Sequence, residues 1–179
     1  VSGTASGSGI DFTLDNGTVT IIAGATTGTI SIFSIIDDTL NESDETIIIT
    51  LSNPVNATLG DNIVHTYTIT DNEDLPTIDF NTISSSGAES VSSKAITVDL
   101  SSASGKDITV DYTVTGTATG SGTDYILADG TLNISAGSTS GIINIESIVD
   151  DSIDEEAETI ILTLSSPTNA TLGSDSVHT

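Results

Sequence analysis

Five carboxylates fall within nine residues from Asp37 to Glu45, and six within nine from Asp150 to Glu158. The two runs, IIDDTLNESDE and IVDDSIDEEAE, are short acidic loops, the first set between the apolar β-like stretches 29–36 and 46–51. At an effective dielectric near 20, two unit charges about 5 Å apart repel by roughly 3 kcal/mol. A fold that gathers several such groups at one end calls for a cation. Every candidate ligand is an oxygen, the chain has no cysteine, and neither histidine is well placed. That donor set favours a hard cation, Ca²⁺ ahead of Mg²⁺, over zinc or copper.

The rest of the composition says what must position these loops. The chain has 179 residues, room for two modest domains or one large β domain. Its apolar residues are mainly Ile, Val, Leu and Ala, accompanied by abundant Thr, which is a strand composition. An all-β globular protein is expected. The net charge is −24, with Lys94 and Lys106 the only basic side chains besides two histidines. Such a surface repels phosphate backbones and anionic lipid, so no nucleic acid and no direct membrane insertion are expected. Cysteine-free sequence removes disulfides, thiolate metal sites and a cysteine nucleophile from consideration.

Internal repetition is the strongest feature. Residues 1–66 align without a gap onto 114–179, with about six in ten positions identical and Pro54 matching Pro167. Gly3-Thr4-Ala5 matches Gly116-Thr117-Ala118, Asp11 matches Asp124, and Asp37-Asp38 matches Asp150-Asp151. Glu42 and Glu45 match Glu155 and Glu158, and the NATLG motif at 56–60 recurs at 169–173. This period is too long for a solenoid and suits one β-sandwich. Two modules are expected, 1–75 without its initial strands and 76–179 without its last, the whole being a piece of a longer array.

In the first module the stretches 10–14, 17–22, 29–36, 46–52 and 63–70 read as strands between Gly, Asn and Asp turn signals. Ile47, Ile49 and Leu51 share one face by alternation. In 29–36 the alternation breaks, and a β-bulge is expected near Phe33-Ser34. The charged, Pro-containing stretch 71–76 forms a short junction. In the second module 77–80, 95–100, 108–114, 124–127, 130–134, 141–149 and 159–165 read as strands.

The ordered motifs Val110-Asp111-Tyr112, Gly116-Thr117-Ala118, Gly122-Thr123-Asp124-Tyr125, Gly130-Thr131-Leu132, Ile148-Val149-Asp150-Asp151, Glu155 to Glu158, Leu164-Ser165-Ser166-Pro167 and Ile69-Thr70-Asp71-Asn72 together resemble the Calx-β repeat. The match runs over nearly the whole chain. The resemblance implies tandem immunoglobulin-like β-sandwich domains that bind Ca²⁺ at one tip. By position it implies as ligands Asp11, Asp37, Asp38, Glu42, Glu45, Asp71 and Glu73 in the first copy. In the second it implies Glu89, Asp124, Asp150, Asp151, Glu155 and Glu158. The main-chain carbonyls of Leu40 and Ile153 occupy positions where the family offers a backbone ligand. This sequence departs from the family's calcium-binding pattern at Asn72, which interrupts the acidic run after the last strand. The first copy has no counterpart of Glu89 and the second none of Asp71.

No catalytic pattern competes. There is no G-x-S-x-G elbow, the two histidines occupy one repeat position, and the Gly-rich stretch 116–122 lacks the lysine of a phosphate loop. His65 and His178 are expected to be ordinary strand residues, and Lys94 and Lys106 to be solvated. The expected function is that of calcium-binding structural or adhesive repeat modules of a long secreted or cell-surface protein, an extracellular adhesin or filament. Ca²⁺ would stiffen the inter-repeat junctions. Its partners would be neighbouring repeats of the same or an adjacent chain, with cell-surface or matrix ligands reached through other domains. The alternatives are a regulatory Ca²⁺ sensor of a membrane or signalling protein, or a filament subunit assembled by strand donation.

Overall fold

A computed structural model of the chain describes residues 1–152 and 156–179. The chain is all-β, and its strands are grouped in two units. One comprises Val1–Thr39 with Ser43–Asn72, the other Leu40–Glu42 with Glu73–Thr179.

The second unit is a two-sheet sandwich. Its strands are β4 (Thr77–Phe80), β5 (Ser93–Leu100), β6 (Ile108–Gly116), β7 (Gly130–Ile134), β8 (Ser140–Glu146), β9 (Ile160–Thr168), β10 (Thr171–Leu172) and β11 (Val177–His178). One sheet runs β10-β4-β5-β8 and the other β11-β9-β6-β7. Alternation decides which side chains face inward. Ile96, Val98 and Leu100 on β5 and Ile143 and Ile145 on β8 are buried, and so are Ile108 and Val110 on β6 and Leu162 and Leu164 on β9. They form one core with Ile78, Phe80, Ile134, Tyr125 and Ala170. Each such aliphatic side chain stabilises the fold by about 1.5–3 kcal/mol relative to exposure. The sheets' outer faces carry Thr, Asp and Ser, in keeping with the polar-out half of the pattern.

The loop after β4 is tied to the segment at β11. After β4, the Ile83 carbonyl accepts from Thr179 N at 3.0 Å, and Ser85 N donates to the Thr179 carbonyl at 2.9 Å. Between them lies His178, almost wholly buried. Its Nδ1 lies 2.5 Å from the Thr82 carbonyl. A carbonyl only accepts, so Nδ1 carries the proton, and Nε2 is left to accept from Ser85 Oγ at 3.0 Å. His178 is a strand residue of β11, as expected, and is in addition a cross-tie; its repeat partner His65, on a strand of the first unit, is exposed.

The first unit holds one sheet, β1 (Ser2–Gly3), β2 (Glu45–Thr50) and β3 (Val64–Ile69), in the order β1-β2-β3. Its inward side chains are Ile47 on β2, fully buried, and Phe12 from the preceding turn. The expected strands 10–14, 17–22 and 29–36 are not strands; a single bridge, Thr13 with Phe33, joins the first of these stretches to the third. The reason lies in the ladder. In the second unit the counterpart β7 pairs with β6 and β8 pairs with β5. In the first copy 17–22 and 29–36 make no such ladder pairings. A strand is made by its neighbours' hydrogen bonds as much as by its own residues. In the second unit 124–127 is likewise reduced to one bridge, Ile126 with Glu146.

The break in alternation in 29–36 falls on Ser34, whose φ is +50°, and its counterpart Ser147 has φ +51°. The same pairing holds for Ser8 and Ser121, Asn53 and Ser166, and Asn56 and Asn169. The two copies therefore share their left-handed backbone positions as well as their residues.

Candidate metal centre

The scaffold under the acids is a turn built twice. In the first copy Thr46 N donates to Thr4 Oγ1 at 2.8 Å, and Ala5 N donates to the Thr46 carbonyl at 3.1 Å. Ser6 N then donates to Asp11 Oδ2 at 2.5 Å. In the second copy Thr159 N donates to Thr117 Oγ1 at 2.8 Å, Ala118 N to the Thr159 carbonyl at 3.1 Å, and Thr119 N to Asp124 Oδ2 at 2.5 Å. The Gly-Thr-Ala motif is thereby explained. Gly3 and Gly116 take φ of +129° and +134°, and a Cβ on either would lie 2.0 Å from the carbonyl oxygen of Thr46 or Thr159. Only glycine allows this approach.

A second duplicated bond sets this aspartate beside the Asp-Asp pair. Ile36 N donates to the Asp11 carbonyl, and Val149 N to the Asp124 carbonyl, each at 2.9 Å. Asp37 and Asp38 follow the first contact and Asp150 and Asp151 the second. In the first unit Glu45 opens β2 opposite Ile69 on β3. Asp71 then follows the end of β3, its N–H donating to Asp44 Oδ1 at 3.1 Å. In the second unit Glu158 precedes Thr159 of the duplicated turn, and Glu89 lies in the turn closed by Val91 N to the Ala88 carbonyl. Ile148 N donates to the Ser92 carbonyl, which joins that segment to the one carrying Asp150.

Asp11, Asp37, Asp38, Glu45 and Asp71 thus lie in the first unit, and Glu89, Asp124, Asp150, Asp151 and Glu158 in the second. Leu40, Glu42 and Glu73 also belong to the second unit. Ile153 and Glu155 fall outside the described residues. Among the described residues no three of these acids converge on one point. The backbone brings Asp11 beside Asp37-Asp38 and Asp124 beside Asp150-Asp151 through the main-chain bonds described above. An all-oxygen donor set on a scaffold built alike in both copies fits a hard cation such as Ca²⁺.

Asp44 and Asn41 were missing from the candidate set. Asp44 has alanine as its repeat partner, so repetition gives no signal for it. Asn41 carries no charge. Lys106 departs from the solvated expectation, since its ammonium donates to Asn41 Oδ1 at 3.0 Å.

Tyr125 packs under the duplicated turn, and its phenol titrates above its ordinary value of 10.0, raised first by burial and then by the charges of Asp124 and Asp129. The neutral phenol is therefore favoured in the folded state. Its contribution is complete below the unfolded phenol's pKa and is lost as pH rises through the higher folded value. Ultraviolet titration should show one of the three tyrosines ionising late, with unfolding bringing it back into line.

The sequence profile of the Calx-beta domain matches residues 1–73 and again 71–177. The chain belongs to the Calx-beta family. No curated protein matches it. Among solved structures, the chain is similar to the apo form of the Calx CBD1 domain, with TM-score 0.53 and 22% identity over 59% of this chain and 93% of that one. It also matches CBD12 from CALX1.2, with TM-score 0.47 and 25% identity over 97% of this chain and 66% of that one. These likenesses concern the fold. Two adjacent Calx-beta repeats, one of them a described sandwich of eight strands, account for the all-β architecture and for the repeat read from sequence.

Proposed function

We propose that these Calx-beta repeats are non-catalytic, calcium-binding structural modules of a long secreted or cell-surface protein. The observation that carries the reading is the twice-built turn, which sets Asp11 beside Asp37-Asp38 and Asp124 beside Asp150-Asp151 through the same hydrogen bonds. Asp11, Asp37, Asp38, Glu45 and Asp71 would hold the ion in the first repeat, and Glu89, Asp124, Asp150, Asp151 and Glu158 in the second. Bound Ca²⁺ supplies positive charge to the acidic end of a chain whose net charge is −24. The carboxylates orient the loops, and relief of their repulsion stiffens the junction at 71–76 so that neighbouring repeats are held out from the surface.

At millimolar extracellular Ca²⁺, sites with Kd near 10⁻⁴ M are largely filled. A tenfold excess over Kd stabilises a site by about 1.4 kcal/mol, which raises the Tm of a 100-residue domain by roughly 4–8 °C per kcal/mol. The test is the thermal midpoint in EDTA and across a Ca²⁺ titration, with Mg²⁺ at equal ionic strength as control. A Ca²⁺-specific rise should be lost from the first repeat in Asp37→Asn/Asp38→Asn and from the second in Asp150→Asn/Asp151→Asn. A midpoint near 10⁻⁴ M or above supports the spacer, and a micromolar midpoint would favour a regulatory sensor. No Ca²⁺-specific rise would reduce the acidic loops to a solvated surface.

A further inference from the structure

Asn41 is buried although Asp37, Asp38, Glu42, Ser43 and Asp44 around it in the acidic loop are exposed. It lies in the second unit, as a bridge parallel to Ser104. Its main-chain carbonyl accepts twice, from Gly105 N at 3.1 Å and from Ser104 Oγ at 3.0 Å. Its side-chain Oδ1 accepts from Lys106 Nζ at 3.0 Å, and its Nδ2 donates to the Glu73 carbonyl at 2.7 Å. Ser104 is itself almost fully buried, and its Oγ also accepts from Lys106 N at 3.1 Å. The Glu42 side chain lies against Gly105, where an added Cβ would come within 2.5 Å of Oε1.

We propose that Ser104, Gly105, Lys106 and the Glu73 carbonyl form a binding site for a three-residue segment with a neutral primary amide at its centre, filled here by Leu40-Asn41-Glu42. The site reads an amide because it offers opposite chemistry to the two ends of the group. The Lys106 ammonium needs an acceptor, and the Glu73 carbonyl needs a donor. Aspartate satisfies the first and fails the second, since its carboxylate would face the carbonyl oxygen with no hydrogen to share. The repeat places Asp154 at the counterpart of Asn41. The site therefore distinguishes the two acidic loops of this chain, accepting the sequence around Asn41 and rejecting the one around Asp154. No metal takes part in this recognition, which holds whether or not the acidic ends bind Ca²⁺.

Amide hydrogen exchange of Gly105, followed by NMR on the whole chain in EDTA, tests this directly. The Gly105 N–H should be protected without Ca²⁺. Asn41→Asp should speed its exchange about tenfold, while the amides of Val98 and Leu162 in the core keep their rates. Lys106→Met should speed it several-fold by removing the ammonium. Unchanged or slower exchange in Asn41→Asp would overturn the amide preference and make the site one for carboxylates. Exchange that is unprotected in EDTA and slows only with Ca²⁺ would overturn the metal-free recognition. Unchanged exchange in Lys106→Met would remove Lys106 from the site. If Asn41→Asp also speeds the core amides, Asn41→Gln decides: it keeps both halves of the amide, so protection of Gly105 closer to wild type than in Asn41→Asp supports the proposal, and equal loss overturns it.

Discussion

Gly116→Ala should destabilise the second unit by on the order of 4 kcal/mol, through two penalties at one residue. The first is conformational, because φ of +134° is closed to a residue with a Cβ. The second is steric and larger. The new methyl would stand 2.0 Å from the Thr159 carbonyl oxygen and 2.8 Å from its carbon, backbone atoms that cannot turn aside. That carbonyl also accepts from Thr117 N and Ala118 N, so moving it loosens the turn that carries Asp124. Gly137→Ala separates the two penalties. Its φ is +79° and a Cβ there would meet nothing within 4 Å, so it should cost only about 1 kcal/mol. Urea unfolding of the three proteins measures both. Equal losses would show that the close approach at Thr159 is unimportant.

Leu162→Ala should cost about 3 kcal/mol, within the usual range of roughly 2–5 kcal/mol for a buried leucine. Leu162 is fully buried on β9, between β11 and β6, so the space it vacates lies at the centre of the sandwich, where neighbouring strands cannot collapse inward. Ile142 on β8 is 55% exposed. Its replacement by alanine should stay within about 0.5 kcal/mol. The contrast tests the inward and outward assignment of the strands, because a one-residue shift of register would reverse it.

The sandwich of the second unit was largely legible in the sequence. The stretches 77–80 and 130–134 coincide with β4 and β7, β5 and β6 extend two residues past expectation and β9 three, and β8 ends three residues short of it. Alternation carries that information because side-chain period and burial are linked. The first unit was less legible. The apolar run at 29–36 has strand composition, but its neighbours in the ladder are supplied by long-range pairing, which local pattern does not report. For the candidate site, repetition identified Asp11, Asp37 and Asp38 with their counterparts. The bonds that set them together, from Ile36 N to the Asp11 carbonyl and from Val149 N to the Asp124 carbonyl, are main-chain contacts and leave no mark on residue identity. Asn41 was invisible for another reason. Its partners Glu73, Ser104, Gly105 and Lys106 are 32 or more residues away, and an uncharged residue in an acidic run gives no periodic or charge signal.

The cross-tie at His178 has a mechanical consequence. A pull applied between the loop after β4 and Thr179 is carried by this tie. It meets the bonds from Thr179 to Ile83 and Ser85 and those from the imidazole to Thr82 and Ser85, which are loaded together. These four bonds join the loop after β4 to His178 and Thr179, so separating the two segments must break them as a group. Resistance of that kind is set by an unfolding rate. In a chain under tension, a buried imidazole fastens the loop after β4 to β11 at a single point.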